Sequence, residues 1–350
     1  MTTSGKTQSS SGGAPLSNIV IDEAATTDSA FHRRQAFLKL EELALSMAAM
    51  ELAPPSDQTL AYNEANRALY ALSALTRSLE LLEVPAGDII QSVRTIRELL
   101  SRSPFIRHLQ TWPLGYQGDY SIVEYIMDAV NRSATGSWAW SLEETALQSG
   151  IVQQHRNKIR LQSDEVLRVL AQYGDEWNML TLGCGGCRDL VPVLPLLGGF
   201  KGEIFLNDID ERALALAQSR LATVGSLQYQ VLRCNALKAV RRLERTTTRF
   251  QFVLAGGLFD YLPDQVVIEI LRVTFQVLLK EDGVCMFTNI LDGNRFRPWM
   301  DYAVSWKLIE RSRLHVLTLC GQAGIPEECV RVTTDNLNLA MIVRVQRPRI

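Results

Sequence analysis

Short apolar runs alternate with helix-period segments through the second half of the chain. The runs predict five strands, at residues 178–182, 203–207, 227–232, 250–255 and 284–289. The segments between them, at 165–173, 189–197, 211–224, 236–244 and 264–279, have apolar residues at helical spacing. Strands that alternate with helices predict a parallel, doubly wound α/β sheet. Further helices at 299–309 and 313–323 and two final strands, at 329–333 and 339–345, predict a closing antiparallel hairpin.

The first half of the chain has only helical periodicity. Three amphipathic helices are predicted, beginning near Ala30, Ser56 or Asp57, and Ile89, with Pro54 and Pro85 in the breaks. We therefore divide the chain into a disordered Ser/Thr/Gly-rich arm (1–28), a helical subdomain with a lid (29–162) and the sheet domain (163–350).

The segment before the sheet combines turn-forming and aromatic residues. Residues 111–120 hold a Trp, two Tyr, a Pro, two Gly and an Asp, which is too many turn formers for a helix. A polar helix with His155, Arg156 and Lys158 follows. Aromatic and charged residues next to a ligand-binding sheet predict a substrate wall or lid. An aromatic packing surface between subdomains is the alternative.

The bulk composition argues against several partners. The formal net charge is −2 and no apolar run approaches the length of a membrane span, so neither nucleic acid nor membrane insertion is expected. The N-terminus lacks the order of a secretory signal, and the six cysteines are scattered, which favours a cytoplasmic protein with reduced thiols. Cys184-x-x-Cys187 has no second pair at metal spacing, so no metal is expected. An exposed face on the N-terminal helices is compatible with a homodimer.

Chemistry-bearing residues stand where the predicted strands end. The first strand runs into Gly183-Cys-Gly-Gly-Cys-Arg188, a turn that brings backbone N–H groups close to a ligand. The second ends at Asp208, whose carboxylate can accept bonds from ribose hydroxyls, and Asp210 is placed to cap the next helix. Asn235 ends the third and can pair with an adenine edge. No Gly-Lys-Ser/Thr follows the loop, which excludes a typical nucleotide triphosphatase.

This order of elements resembles the class I S-adenosylmethionine (SAM)-dependent methyltransferases. The resemblance implies a Rossmann-like seven-stranded sheet, with five parallel strands and an antiparallel C-terminal hairpin. It places Gly183 and Gly185 against the methionine part of the cofactor, Asp208 on the ribose, Asn235 on the adenine and Gly256 beside the cofactor. The full predicted cofactor-binding set is Gly183, Cys184, Gly185, Arg188, Asp208, Ile209, Asn235, Ala236, Gly256 and Gly257.

A narrower resemblance covers residues 104–345. Four motifs carry it in order: Gly115-Tyr-x-Gly-Asp-Tyr120, Gly183-Cys-Gly-Gly-Cys-Arg-Asp-Leu190, Gly257-Leu-Phe-Asp-Tyr-Leu262 and Trp306-x-Leu-Ile-x-Arg311. Together they are similar to a bacterial family typified by the methyltransferase that makes 3-hydroxypalmitic acid methyl ester, a quorum-sensing signal. The resemblance implies methylation of a small molecule in signalling or secondary metabolism. Thr181, Asn235 and Cys187 depart from residues common in the superfamily.

Methyl transfer requires a nucleophile held near the methyl carbon and shielded from water. Tyr116, Asp119 and Tyr120 are the predicted lid wall near the methyl group. His155 is a candidate general base, needed for a hydroxyl or an ammonium acceptor but not for a carboxylate. Seven residues are candidates to contact the acceptor: Arg156, Asp260, Tyr261, Asn289, Arg297, Trp306 and Arg311.

Three functions remain open from the sequence. A methyltransferase acting on a carboxylate-bearing metabolite is favoured, with S- or N-methylation of an amino-acid-like substrate as the second choice. A SAM-binding protein without activity and a NAD-dependent oxidoreductase on the same sheet are the others.

Overall fold

The computed structural model describes residues 23–225 and 227–349, and its sheet has seven strands. The strands are β1 (Met179–Leu182), β2 (Glu203–Asp208), β3 (Gln228–Arg233), β4 (Phe250–Ala255), β5 (Leu279–Ile290), β6 (Val330–Thr334) and β7 (Ala340–Gln346). The helices before the sheet are α1 (Glu23–Leu52), α2 (Gln58–Leu81), α3 (Ala86–Ser92), α4 (Arg94–Leu100), α5 (Pro104–Thr111), α6 (Tyr120–Asp128), α7 (Trp138–Gln148) and α8 (Gly150–Tyr173). Those within it are α9 (Glu211–Leu221), α10 (Ala236–Glu244), α11 (Asp264–Val273) and α12 (Arg313–Gln322).

The strand order is β3-β2-β1-β4-β5-β7-β6. Strands β1 to β5 pair in parallel, whereas β7 is antiparallel to both β5 and β6. Every residue of β1 and β4 is buried, as expected for central parallel strands covered on both faces. The predicted doubly wound, Rossmann-like sheet with a C-terminal antiparallel hairpin is confirmed.

Separate apolar cores lie on the two faces of the sheet. On one face, residues of α10, α11 and α12 pack on the strands. On the other, the C-terminal half of α8 and α9 pack with the segment after β1. Because β1, β2, β3 and β4 pair in parallel, their carboxyl ends lie at one edge, where the loops leave the sheet.

A third core joins the N-terminal helices to the end of the sheet. It contains residues of α1 to α7, the first turn of α8 and residues 296–306. Helix α8 therefore runs from this core to the sheet, and the predicted boundary between residues 162 and 163 falls inside one helix. The prediction of an N-terminal arm lies outside the described residues for positions 1–22, and α1 already begins at Glu23.

Helix α1 presents an apolar stripe to the outside. Phe31, Leu38, Leu45 and Leu52 recur every seven residues and are exposed.

Two predicted helices are wrong. Residues 189–197 form turns and a short 3-10 segment, because Pro192 and Pro195 each lack the N–H that a continuous helix needs. Residues 299–309 make only a single wide turn, Trp299–Ala303. The chain then reverses at Ser305, which has a positive φ of 56°, and this reversal directs Trp306 into the core.

Candidate active site

A cavity of about 730 Å³ opens at the carboxyl edge of the sheet. It lies between the ends of β1 to β4, the segment 116–123 and one face of α8. Every residue of the predicted cofactor-binding set lines it: Gly183, Cys184, Gly185, Arg188, Asp208, Ile209, Asn235, Ala236, Gly256 and Gly257. Of the residues predicted for catalysis or the acceptor, Tyr116, Tyr120, His155, Asp260, Tyr261 and Trp306 also line it. The topology thus gathers residues from distant parts of the sequence into one site.

The loop after β1 presents bare backbone to this cavity. Gly183 and Gly185 have positive φ values of 61° and 51°, a conformation that glycine adopts without strain. The loop is fixed to the neighbouring strand, because Cys184 N donates to Asn207 O at 2.9 Å and Gly185 N to Asp208 Oδ2 at 2.8 Å. Cys184 and Cys187 are buried free thiols.

Two carboxylates at the carboxyl end of β2 make different contacts. Asp208 Oδ1 accepts from the backbone of Asp210 at 2.9 Å, so both of its oxygens are oriented by N–H groups at the cavity wall. Asp210 caps α9, as predicted, and accepts a hydrogen bond from the Tyr116 hydroxyl at 3.0 Å. Burial, and next the hydrogen bond to Asp210, raise the pKa of Tyr116, so this residue is a neutral donor.

Asn235 at the end of β3 acts first as a helix cap. Its Oδ1 accepts from Lys238 N at 2.8 Å at the start of α10. The amide oxygen is thus already in use, and the NH2 group is the part of the side chain that can meet a ligand.

Two residues predicted at the lid wall or the acceptor site make buried contacts within the protein. Asp119 is buried, caps α6 and lies 3.1 Å from His108 Nε2, and it does not line the cavity. The Arg156 guanidinium is buried and donates to Ile126 O at 2.8 Å and to Leu147 O at 2.9 Å. Arg156 does not line the cavity, and its Nη2 atom is buried without a hydrogen-bond partner in the described residues.

Asn289 and Arg297, also predicted to contact the acceptor, do not line this cavity. Asn289 Oδ1 accepts from Arg311 at 2.5 Å, and both side chains are buried under the loop after β4. Arg297 forms ion pairs with Glu80 and Asp301 and lies outside this cavity. Spacing alone does not distinguish an arginine that binds a ligand from one that joins two loops.

One face of α8 contributes residues that the sequence reasoning missed. Lys158, Ile159 and Gln162 follow His155 at three, four and seven positions and line the cavity with it. Helical periodicity counted from His155 would have found them. Gln162 Nε2 donates to Gly256 O at 2.7 Å, which fixes the glycine turn after β4.

Lys158 reaches the same turn through a buried ion pair. Its Nζ lies 2.9 Å from Asp260 Oδ2, and both side chains are at most 3% exposed. Asp260 Oδ1 also accepts from Ile290 N at 2.6 Å, so this carboxylate joins α8, the loop after β4 and β5.

The lid side of the cavity is aromatic. His155 stacks on Trp306 with ring centroids 4.8 Å apart, and Trp306 Nε1 donates to the Tyr261 hydroxyl at 2.8 Å. Burial, and next the positive charge of Lys158, hold the pKa of His155 well below its usual value, so its imidazole is neutral. The His155 Nε2 atom is buried without a hydrogen-bond partner in the described residues.

Asp189 is a second missed residue, and it makes stability depend on pH. Burial raises its pKa from 3.8 to about 6. Between these values the folded state binds more protons than the unfolded state, so this group lowers the free energy of unfolding as the pH rises. Asp189→Asn removes the group that titrates. We therefore expect the free energy of unfolding of the variant, taken relative to wild type, to rise by up to about 3 kcal/mol from pH 4 to pH 7.

Urea unfolding of both proteins at several pH values measures this effect. A difference between variant and wild type that does not change with pH would show that Asp189 has an ordinary pKa in the folded state.

Comparisons with known proteins support the fold. No family model and no curated protein matches the chain. The structure is similar to a solved protein described as a possible exported protein from Bordetella parapertussis, with a TM-score of 0.55 and 17% identity over 84% of this chain and 97% of that one. Magnesium protoporphyrin IX methyltransferase from Synechocystis PCC 6803 matches with a TM-score of 0.42 and 11% identity over 57% of this chain and 87% of its own. A Burkholderia thailandensis 1,6-didemethyltoxoflavin N1-methyltransferase matches with a TM-score of 0.38 and 17% identity over 55% and 79%.

The match to the Bordetella protein shows a shared fold and nothing about activity. The described residues contain no group of three or more His, Cys, Asp or Glu that could hold a metal ion. None of the helices in the described ranges is long and apolar enough to cross a membrane.

Proposed function

We propose that this chain is a SAM-dependent methyltransferase that acts on a small, carboxylate-bearing metabolite. The observation that carries the proposal is the convergence of all ten predicted cofactor-binding residues on one cavity at the carboxyl edge of the sheet. In open α/β sheets this edge is where ligands bind.

The residues at this edge fit an adenosyl cofactor. Gly185 and Gly257 border open space in the cavity. Among the described residues, a Cβ on Gly185 would meet only the Tyr120 side chain, at 3.5 Å, and a Cβ on Gly257 only Lys158 Nζ, at 3.9 Å. The absence of side chains at both positions leaves room for a ligand. Asp208 offers a carboxylate for ribose hydroxyls, and the Asn235 amide offers donors for an adenine nitrogen. When bound, SAM supplies an electrophilic methyl group.

The chain's own residues position the acceptor and exclude water. Tyr116, Gly118 and Tyr120 line the lid side of the cavity, and Tyr261 and Trp306 lie next to Gly118 on the same side. Bringing two reactants together in a closed, oriented site removes much of the entropy cost of the reaction. A carboxylate acceptor is already ionised at neutral pH and attacks without losing a proton.

Titration with SAM, S-adenosylhomocysteine and NADH tests the cofactor, and radiolabelled methyl transfer to a panel of carboxylic acids tests the reaction. The proposal expects binding of both adenosyl compounds and turnover on at least one acid. Binding without any turnover favours a regulatory SAM-binding protein, and binding of NADH alone favours an oxidoreductase.

A carboxylate acceptor makes a specific prediction for His155. We expect His155→Phe, which keeps a ring against Trp306, to change kcat by less than about threefold, because no proton has to be removed. The pH profile of kcat between about pH 7.5 and 9 should be flat in both proteins, since neither the acceptor nor the neutral imidazole titrates there and Asp189 is already ionised.

Loss of a general base instead reduces the rate by about 10²-fold or more. A drop of that size in His155→Phe, with an unchanged Kd for S-adenosylhomocysteine, would favour a hydroxyl or ammonium acceptor.

A further inference from the structure

A second cavity, also of about 730 Å³, lies on the helical side of the molecule. It is bounded by α2, by the junction of α7 and α8, and by residues 293–299. It has no lining residue in common with the cavity at the sheet edge. Its volume is in the range of small-molecule sites. Apart from Arg297, none of the residues predicted for cofactor, catalysis or acceptor lines it.

The N-terminus of α8 opens into this second cavity through Ser149 and Gly150. No side chain caps the helix, because the Ser149 hydroxyl donates back to Ala146 O at 2.7 Å, and the first turn contains no acidic residue. The first N–H groups and the helix dipole therefore leave partial positive charge at the wall.

A full positive charge stands beside this helix terminus. Arg295 Nη2 would lie 3.6 Å from a Cβ placed on Gly150. Its guanidinium is over the Phe296 ring, 5.1 Å from the centroid, and has no carboxylate partner in the described part of the chain. Two positive features held together, neither of them paired with a carboxylate in the described residues, favour the binding of an anion.

The rest of the wall is aromatic and retains unused polar groups. The Tyr70 and Phe296 rings are 6.3 Å apart, and Tyr62 and Trp299 also line the cavity. Thr145 Oγ1 and Trp299 Nε1 belong to lining residues that are 3% and 4% exposed, and neither atom has a hydrogen-bond partner in the described residues. A buried polar group without a partner is costly, which is consistent with a ligand that contributes one.

The acidic groups nearby do not cancel this preference. Glu80 is paired with Arg77 and Arg297, and Asp301 with Arg297. Glu310 lines the cavity, and burial raises its pKa to about 7, so this carboxyl carries less negative charge at neutral pH than an exposed glutamate does.

We propose that the second cavity binds a small organic anion with a planar aromatic body, of the class of aromatic carboxylates. The anionic group lies between Arg295 and the N-terminus of α8, and the ring lies among Tyr62, Tyr70 and Phe296. The site is independent of the methyl-transfer cavity, and the proposal holds whether or not the chain is a methyltransferase.

The test uses 2-naphthoate and its uncharged analogue 2-naphthamide as probes, titrated calorimetrically into the full chain. We expect one site for naphthoate and at least about tenfold weaker binding of the amide, because the amide lacks the charge. Arg295→Gln should weaken naphthoate by at least about fivefold and leave the amide unchanged. The matched control is Arg245→Gln, which removes an exposed arginine far from this cavity in sequence and should change neither Kd.

A filling variant locates the site. Ala74 is an exposed residue of α2 that lines the second cavity. Ala74→Trp therefore places an indole in this cavity and leaves the buried core unchanged. We expect it to abolish naphthoate binding while the thermal unfolding midpoint stays within about 2 °C of wild type. No binding up to about 1 mM naphthoate, equal affinity for the two probes, or binding that survives Ala74→Trp would each overturn the proposal.

Discussion

Asp208→Ala is expected to weaken binding of S-adenosylhomocysteine by at least about tenfold, which corresponds to about 1.4 kcal/mol. The carboxylate is held at the cavity wall by Gly185 N and Asp210 N, so its position does not depend on the ligand. In the proposed function Asp208 is the acceptor for both ribose hydroxyls, and hydrogen bonds to charged acceptors are the stronger kind. Isothermal titration measures the Kd.

The control for this variant is Asp88→Ala, which removes an exposed carboxylate on α3. Thermal unfolding of both variants checks that Asp208→Ala remains folded despite the lost contact to Gly185. A Kd within about twofold of wild type would contradict the assignment of Asp208 to the ribose.

Lys158→Met is expected to lower the free energy of unfolding by about 3 kcal/mol or more. The substitution leaves Asp260 charged and buried without its partner 2.9 Å away. The desolvation cost of an unpaired buried charge is larger than the loss of any exposed contact. Urea unfolding at neutral pH gives the difference.

A second substitution separates the charge from the packing. In the Lys158→Met background, Asp260→Asn removes the buried charge and still accepts from Ile290 N, so the double variant should be more stable than Lys158→Met alone. The exposed pair Lys201–Asp175 is the matched control, and Lys201→Met should cost at most about 1 kcal/mol. A double variant less stable than Lys158→Met would show that the unpaired carboxylate is not the cause.

The cofactor side of the site could be predicted because it depends on strand order. Residues that directly follow parallel strands meet at one edge whatever their side chains do, so Gly183, Asp208, Asn235 and Gly256 came together as the alternation of strands and helices required. Their assigned chemistry nevertheless remains a proposal.

The acceptor side could not be predicted in the same way. Asp119, Arg156, Asn289 and Arg297 have the right residue types and lie near the right segments. Each makes hydrogen bonds or ion pairs within the protein and lies outside the lining of the cavity. Whether a polar side chain binds a ligand or closes a loop depends on these long-range contacts, which have no local signature.

The sequence pattern was sufficient to predict the sheet, its closing hairpin and the edge at which the cavity opens. Apolar runs of strand length and the 3.6-residue helical period are local features of the chain, so they can be recognised without a structure. Three features became visible only in the folded chain: the face of α8 that lines the cavity, the buried Lys158–Asp260 pair and the second cavity beside Arg295. These features arise where helices from distant parts of the chain pack together, and their positions depend on the whole set of packed side chains.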